Sequence, residues 1–209
     1  GCGWGSFLEY AAENYGVEGV GITVSEEQAE LARERCADLP IEIRLQDYRD
    51  LEDIFDRIVS IGMFEHVGHK NYDTYMTVVR RCLADDGLFL LHTIGGNQSR
   101  TTTDPWINKY IFPNGMIPSV QQIAEASEGV FVMEDWHNFG AYYDLTLMAW
   151  YENFTSAWDN LQGDYGNRFY RMWTYYLRMA AGSFRARTNQ LWQIVFSRDG
   201  LPGGYESVR

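Results

Sequence analysis

Short apolar segments rich in β-branched residues alternate with amphipathic segments, and this alternation constrains the fold more than any other feature. The chain starts with a glycine-rich segment, and the apolar residues of the following segment, 6–15, have helical spacing. Four later segments predict strands, at residues 19–24, 41–45, 57–61 and 88–94. Uninterrupted apolar strands are typical of parallel sheets covered on both faces. The sequence therefore predicts an α/β fold with a doubly wound, mostly parallel sheet.

The second half of the chain leaves this alternation and becomes strongly aromatic. Residues 96–118 contain three prolines and predict a long structured excursion, and residues 145–180 show helical spacing. The aromatic helices are either ordinary core or the wall of a tunnel for an acyl chain. Arg168, Arg171 and Arg178 are either a solvated helix face or cations that reach lipid phosphates. We read residues 1–209 as one domain, with insertions in residues 96–185 that would contain such a tunnel.

Composition and charge exclude several classes of protein. The net charge of -12 argues against a nucleic-acid partner, because such binding depends on neutralising phosphates with Lys and Arg. It also argues against the whole surface lying on anionic lipid. Cys2, Cys36 and Cys82 have no paired spacing, which favours free thiols in a reducing compartment. With no long apolar run and no signal peptide, we expect a soluble cytoplasmic protein.

The carboxyl ends of the predicted strands define where a ligand is expected. The opening glycine turn suits an S-adenosylmethionine site better than the spacing of a dinucleotide site. Such a turn normally follows a strand, so we expect the sequence to be a fragment that lacks its first strand. The candidate cofactor-binding residues at this edge are Gly1, Gly3, Thr23, Val24, Gln28, Asp47, Tyr48, Ile61 and Gly62.

The end of the predicted strand at residues 19–24 departs from the usual nucleotide-binding pattern. Such folds commonly end this strand with a carboxylate that accepts from the ribose hydroxyls, whereas this chain has Thr23-Val24-Ser25. We therefore expect Gln28 or the backbone of Thr23 to take the ribose contact. Asp47 remains available for the adenine amino group.

Glu65 and His92 are the candidate catalytic pair, because both lie near the carboxyl edge of the sheet. A carboxylate and an imidazole can hold a small anion or water and relay a proton. The alternative is an ordinary ion pair or a histidine bonded to backbone, and we assign His66, His69 and His137 to that class. No metal site is predicted, because the nearby histidines lack a matching ligand set.

Several motifs together resemble bacterial cyclopropane-fatty-acyl-phospholipid synthases, and the mycolic-acid cyclopropane synthases are similar but more distant. The resemblance extends to about Arg198. It is carried by Gly-Cys-Gly-Trp-Gly, Thr23-Val-Ser-Glu-Glu-Gln28, Gln46-Asp-Tyr-Arg49, Gly62-Met-Phe-Glu-His-Val-Gly68, Leu91-His-Thr-Ile-Gly95, Asp104-Pro-Trp-Ile-Asn-Lys-Tyr-Ile-Phe-Pro-Asn-Gly115, Glu134-Asp-Trp-His-Asn-Phe-Gly140, Leu147-Met-Ala-Trp150 and Phe184-Arg-Ala-Arg187.

The resemblance implies a Rossmann-like class I methyltransferase. Such an enzyme transfers a methyl group from S-adenosylmethionine to the cis double bond of a phospholipid acyl chain. A carbocation then loses a proton and closes to a cyclopropane ring. The resemblance also implies a bicarbonate ion as base, with Glu65, His92 and Tyr143 as its ligands. A cysteine ligand and an N-terminal lipid-binding domain are expected upstream of Gly1, and a homodimer is implied by resemblance alone.

Two other functions stay open at this stage. A related lipid methyltransferase would use the same cofactor and leave methyl-branched chains. A truncated chain would alternatively be a non-catalytic lipid-binding domain, because the glycine turn would have lost its supporting strand.

Overall fold

The computed structural model describes all 209 residues, and its sheet strands fall close to the predicted positions. The strands are β1 Gly19–Thr23, β2 Ile41–Leu45, β3 Phe55–Ile61, β4 Leu83–Gly96, β5 Val132–Asn138 and β6 Asn189–Ser197. The helices are α1 Ser6–Tyr15, α2 Glu26–Arg35, α3 Phe64–Val67, α4 Tyr72–Cys82, α5 Pro105–Tyr110, α6 Val120–Ser127, α7 Gly140–Ser156, α8 Trp158–Leu161 and α9 Asn167–Arg185. Short 3₁₀ turns cover Tyr48–Asp50 and His69–Asn71.

The strands form two hydrogen-bonded groups. β1 pairs with β2 in parallel, and the other four strands follow the order β3-β4-β6-β5. β3 and β4 are parallel, whereas β6 runs antiparallel to both β4 and β5. The prediction of a mostly parallel α/β sheet is therefore confirmed, with β6 as the one reversed strand.

Helices cover both faces of the four-stranded group. On one face, Phe89 and Leu91 of β4 join a cluster of fifteen buried residues that includes Met76 of α4 and Ile123 of α6. On the other face, Leu191 of β6 packs against residues of α7 and α9, namely Leu147, Leu177, Ala180, Ala181 and Phe184. Each fully buried Leu or Phe contributes about 1.5–3 kcal/mol to folding. The sheet is therefore doubly wound, as predicted.

One local expectation is wrong, and the bounds of two others differ. Gly87 after Asp85-Asp86 predicts a left-handed helix end, but the structure places it inside β4 without a positive φ. A Cβ there would come within 2.7 Å of the Leu83 side chain, so close packing explains the glycine. The apolar residues 130–133 predict a strand, and the observed strand begins at Val132 and continues to Asn138. The aromatic segment 145–180 is helical, as expected, and is divided among α7, α8 and α9.

No helix of the structure has both the length and the hydrophobicity needed to cross a bilayer.

Candidate active site

The glycine turn is the first part of the candidate site, and it contacts two other motifs. Gly3 and Gly5 adopt left-handed backbone with φ of 55° and 81°, which glycine adopts without steric cost. The backbone N–H of Cys2 donates to the Ile22 carbonyl at 2.7 Å, and this bond ties the turn to the end of β1. On the other side of the turn, Gly1 lies against the Met63 side chain. A Cβ built on Gly1 would lie 3.4 Å from that side chain. The turn thus bridges the ends of β1 and β3.

The segment after β1 is organised by hydrogen bonds among its own side chains. The Thr23 hydroxyl donates to Gln28 Oε1 at 2.8 Å, and the Ser25 hydroxyl caps α2 by accepting from the Gln28 backbone N–H at 3.3 Å. Val24 projects outward with 76% of its surface exposed. The Thr23 carbonyl accepts from the Gln46 backbone N–H at 2.9 Å, which places the segment after β2 beside it.

Asp47 and Tyr48 follow β2 and have contrasting surroundings. The Asp47 carboxylate accepts from the Arg49 guanidinium at 2.7 Å and from the Arg49 backbone N–H at 2.9 Å. These bonds hold the pKa of Asp47 below its usual range, so it is an ionised acceptor at neutral pH. The ring of Tyr48 packs edge-on against Tyr75, 5.5 Å between centroids, and burial raises its pKa.

Ile61 and Gly62 complete the same edge at the end of β3. Gly62 has a φ of 67°, and the position its Cβ would take has no atom within 4 Å. Its N–H donates to the His92 carbonyl at 3.0 Å. The structure therefore brings all nine candidate cofactor residues to one continuous edge. Which of them bind the cofactor stays a prediction.

Glu65 is buried in α3, just beyond that edge. Its side-chain Oε1 accepts from the Ile94 backbone N–H at 2.7 Å, whereas Oε2 is buried and has no hydrogen-bond partner. Burial raises the pKa of the Glu65 carboxyl, and the hydrogen bond from Ile94 only partly opposes this. A carboxyl in this environment readily keeps or shares a proton.

The hydroxyl of Tyr72 is a second buried group without a partner. Its ring stacks on Phe64, 4.1 Å between centroids. Burial, and then the negative charge of Glu65, raises the pKa of Tyr72 well above its usual range. A buried unpaired polar group costs about 1–3 kcal/mol. The unpaired Glu65 oxygen and the unpaired Tyr72 hydroxyl together indicate a site that binds a small polar partner.

His92 lies on β4, two residues before Ile94, and side chains two residues apart share one face of a strand. Its Nδ1 lies 3.2 Å from Gln193 Nε2, and its ring centroid lies 6.0 Å from that of Phe139. Burial lowers the pKa of His92, so the imidazole is neutral at neutral pH.

Tyr143 lies on α7, one helical turn after Phe139. Its ring packs edge-on against Phe184 and Trp150, with centroids 5.0 and 5.9 Å away. Burial, and then the charge of Glu65, raises the pKa of the Tyr143 hydroxyl. Burial, together with Tyr143, likewise raises the pKa of Tyr176 to about 12.

No hydrogen bond joins Glu65, His92 and Tyr143 to one another. The charge of Glu65 acts on Tyr143. Ile94 connects Glu65 to the strand of His92, and the His92 ring contacts Phe139 at the start of the helix of Tyr143. A carboxyl, a neutral imidazole and a phenol that shared one pocket could bind a small oxyanion and move a proton. Their catalytic roles stay predictions.

Sequence reasoning missed two groups of this site. Tyr72 was read as part of the apolar stripe of α4, and its hydroxyl gave no separate signal. The Ile94 backbone N–H, which binds Glu65 within the sheet, has no signature in a side-chain pattern.

Two of the three remaining histidines, His66 and His137, make aromatic contacts. The His66 ring lies 5.7 Å from Phe112, and the His137 ring lies 4.7 Å from Phe139. The structure contains no group of three or more His, Cys, Asp or Glu residues that could hold a metal ion.

Comparison with known proteins gives concordant matches in sequence and structure. The chain is 62% identical over 209 residues to the cyclopropane-fatty-acyl-phospholipid synthase of Escherichia coli (strain K12). This alignment covers all of the chain but only 54% of that relative. It therefore spans about half the length of the relative. The structure of the cyclopropane synthase MmaA2 from Mycobacterium tuberculosis superposes with a TM-score of 0.88 at 26% identity, over 95% of this chain and 76% of that one.

A second solved structure carries ligands. The mycolic acid cyclopropane synthase CmaA1, complexed with SAH and CTAB, superposes with a TM-score of 0.87 at 29% identity, over 95% of this chain and 76% of that one. The fold is thus that of a class I methyltransferase. The family model described as mycolic acid cyclopropane synthetase matches residues 1–194. The chain belongs to the mycolic acid cyclopropane synthetase family.

Proposed function

We propose that this chain is the catalytic domain of an S-adenosylmethionine-dependent enzyme that converts the cis double bond of an unsaturated phospholipid acyl chain to a cyclopropane ring. The observation that carries the proposal is the buried Glu65 carboxyl, whose Oε2 has no partner and whose charge acts on Tyr143 at the edge of an aromatic cluster. The family membership and the cofactor-like edge beside Glu65 support the same function.

The edge formed by the glycine turn and Gly62 fits S-adenosylmethionine. Open space surrounds the Cβ positions of Gly3 and Gly62, so a ligand can approach their backbone closely. Thr23 and Gln28 offer polar groups for the ribose, and Asp47 offers an ionised acceptor for the adenine amino group. When bound, the cofactor supplies an electrophilic methyl group to the alkene.

The aromatic cluster between α7 and α9 fits an acyl chain. Tyr143, Trp173 and Tyr176 line this cluster, and half-buried rings of Tyr151 and Phe154 extend it. These side chains exclude water, which would quench a carbocation on the acyl chain. Each aromatic face adds about 0.5–2 kcal/mol of attraction for a positive charge.

The groups around Glu65 fit a bicarbonate ion, which would supply the base for the proton that leaves the acyl chain. A Glu65 carboxyl that keeps its proton can donate a hydrogen bond to the oxyanion, and burial favours this form because it raises the pKa of the carboxyl. With the Gln193 amide donating to His92 Nδ1, the imidazole proton lies on Nε2 and is free to donate. Tyr143 stays protonated at neutral pH and serves as a third donor.

The proposed substrate sets the place of action. Phospholipid acyl chains are presented at a membrane surface, so we propose that the enzyme is cytoplasmic and binds the inner membrane transiently. A homodimer is part of the same proposal and rests on the resemblance alone.

Product analysis tests the proposal. The purified protein is incubated with S-adenosylmethionine and detergent-dispersed unsaturated phospholipid. S-adenosylhomocysteine is quantified, and the acyl chains are analysed by gas chromatography with mass spectrometry. A cyclopropane chain formed in equal amount to S-adenosylhomocysteine is the expected result. A methyl-branched product would replace the proposal with the related methyltransferase reaction. S-adenosylhomocysteine binding or lipid binding without turnover would leave a non-catalytic domain.

A further inference from the structure

An open groove of about 1200 Å³ lies between α5 and α9, outside the candidate active site. Its lining combines three arginines with aromatic side chains: Trp106, Tyr110, Arg168, Arg171, Tyr175 and Arg178. The Glu65 cluster contributes no residue to this lining.

The arginines of the groove have no carboxylate partner, and Arg178 lies over the Tyr151 ring, 5.6 Å from its centroid. Arg168, Arg171 and Arg178 are spaced three and seven residues apart, so they share one face of α9. All three are exposed, and none of them forms a salt bridge. α9 contains no Asp or Glu. Asp104, the one acid in the lining, uses its Oδ1 to cap α5 at 2.9 and 3.1 Å.

This concentration of positive charge contrasts with the rest of the molecule. The chain carries a net charge of -12, and arginines elsewhere, such as Arg44, Arg49 and Arg185, are paired with carboxylates. An anionic surface would therefore be repelled by most of the protein and attracted at this groove. Charge complementarity selects both the partner and the orientation in which it docks.

The aromatic side chains give the groove the character of a membrane interface. The Trp106 ring packs edge-on against Tyr175, 4.8 Å between centroids, and lies 5.6 Å from Tyr110. Tyr175 and Tyr110 are 56% and 36% exposed. Trp and Tyr are enriched where a protein meets the headgroup region, because each has an apolar ring and a polar tip.

α9 connects the groove to the candidate active site. Tyr175 faces the groove, whereas the adjacent Tyr176 packs edge-on against Phe112, 5.9 Å between centroids, and burial together with Tyr143 raises the pKa of Tyr176. A headgroup bound in the groove would therefore lie one helix away from the aromatic cluster that fits an acyl chain.

We propose that the α5–α9 groove binds the headgroups of anionic phospholipids at a bilayer surface, with Arg168, Arg171 and Arg178 as the phosphate contacts. The role of this groove as an entrance for the substrate rests on the proposed function, whereas its binding to a membrane does not. Exposed guanidinium groups bind phosphate in bidentate geometry without needing to be buried.

Vesicle co-sedimentation tests the groove. The purified protein is mixed with vesicles of phosphatidylcholine and phosphatidylglycerol in equal parts, or of phosphatidylcholine alone. Replacing Arg168, Arg171 and Arg178 together by Gln should lower partitioning onto the anionic vesicles roughly 100-fold. A charge-matched control replaces the exposed Arg35, Arg57 and Lys70 by Gln, and should leave partitioning within a few-fold of the unsubstituted protein.

Three outcomes would overturn the groove as a membrane site. The first is an equal loss of binding by the groove and control variants, which would indicate general electrostatics. The second is binding by both variants that equals binding by the unsubstituted protein. The third is displacement of the protein from vesicles by water-soluble glycerophosphoglycerol at equal phosphate concentration, which would indicate a site for free phosphate.

Methyl transfer to detergent-dispersed phospholipid separates this proposal from the proposed function. This activity is measured on the unsubstituted protein, because no bilayer has to be bound in the assay. A protein that binds anionic vesicles through the arginines but forms no product would refute the proposed function and leave the groove standing.

Discussion

The edge that fits the cofactor and the pocket around Glu65 are adjacent, but they treat their polar side chains in opposite ways. At the edge, Thr23 bonds to Gln28 and Asp47 bonds to Arg49. In the pocket, Glu65 Oε2 and the Tyr72 hydroxyl are buried without partners. Paired groups stabilise their own loop, whereas each unpaired buried group costs about 1–3 kcal/mol. The comparison teaches that the edge holds its polar side chains in place through mutual hydrogen bonds, whereas the pocket leaves two polar groups unpaired for a ligand.

The largest expected effect separates turnover from cofactor binding. We expect Glu65→Gln to lower turnover by about 100- to 10,000-fold, because a positioned acid–base group is lost, while S-adenosylhomocysteine affinity by calorimetry stays unchanged. Asp47→Asn is the matched control from the edge, and should weaken cofactor affinity with turnover retained at saturating cofactor. Equal loss of both properties in Glu65→Gln would refute the division between edge and pocket.

A smaller loss of turnover is expected from the phenol of the pocket. Tyr143→Phe removes a donor to a bound anion, and hydrogen bonds to charged groups are worth about 1.5–3 kcal/mol, so turnover should fall roughly 10- to 100-fold. The adjacent Tyr142 is 69% exposed, and Tyr142→Phe is therefore the control for which no change is expected. Steady-state rates with the same dispersed phospholipid make the comparison; similar rates for both variants would remove Tyr143 from the site.

The unpaired carboxyl should also be visible in stability. The folded pKa of Glu65 is raised by burial, so its ionisation destabilises the fold as pH rises through the folded pKa, and the penalty is absent below the unfolded pKa of about 4.3. Glu65→Gln should thus raise the free energy of unfolding by about 1–3 kcal/mol at pH values above the folded pKa, with no gain in acid below the unfolded pKa. Urea denaturation over a pH series measures this.

The exposed Glu13→Gln variant should show no such gain. A Glu65→Gln variant that is less stable than the unsubstituted protein in alkaline solution would show that Oε2 has a partner in the folded state.

The smallest effect belongs to the paired edge. Gln28→Ala removes one polar contact for the ribose and the acceptor of the Thr23 hydroxyl, so S-adenosylhomocysteine affinity should fall roughly 3- to 10-fold. Glu30→Ala, on the exposed side of the same helix, is the control. If calorimetry shows equal affinities for the two variants, the ribose contact lies elsewhere on the edge.

Local sequence patterns predicted those elements whose stabilising interactions are close in sequence. The periodicity of residues 6–15 matches α1, and Ser119 with Gln122 forms the capping box that begins α6. The sequence pattern also predicts Asn71 as an N-cap, and it precedes α4, but its side chain donates to the Val67 carbonyl at 2.8 Å and makes no cap. A polar side chain chooses among several nearby backbone partners, and spacing alone does not decide between them.

A strand before the glycine turn stays a prediction. β1 and β3 are not hydrogen-bonded to each other, and the glycine turn contacts the end of both. A further strand that paired with both would join the two groups of strands into one sheet.

The sequence by itself determined the alternation of strands and helices and the edge at which loop residues gather, because both depend on periodicity and on turns that glycine makes possible. Only the tertiary structure decided that β6 is antiparallel, that Leu83 requires Gly87, and that Glu65 keeps one oxygen unpaired. It also decided that Arg168, Arg171 and Arg178 line one groove with Trp106 and form no salt bridge. These features depend on contacts between residues far apart in the chain, whose free energies no local pattern contains.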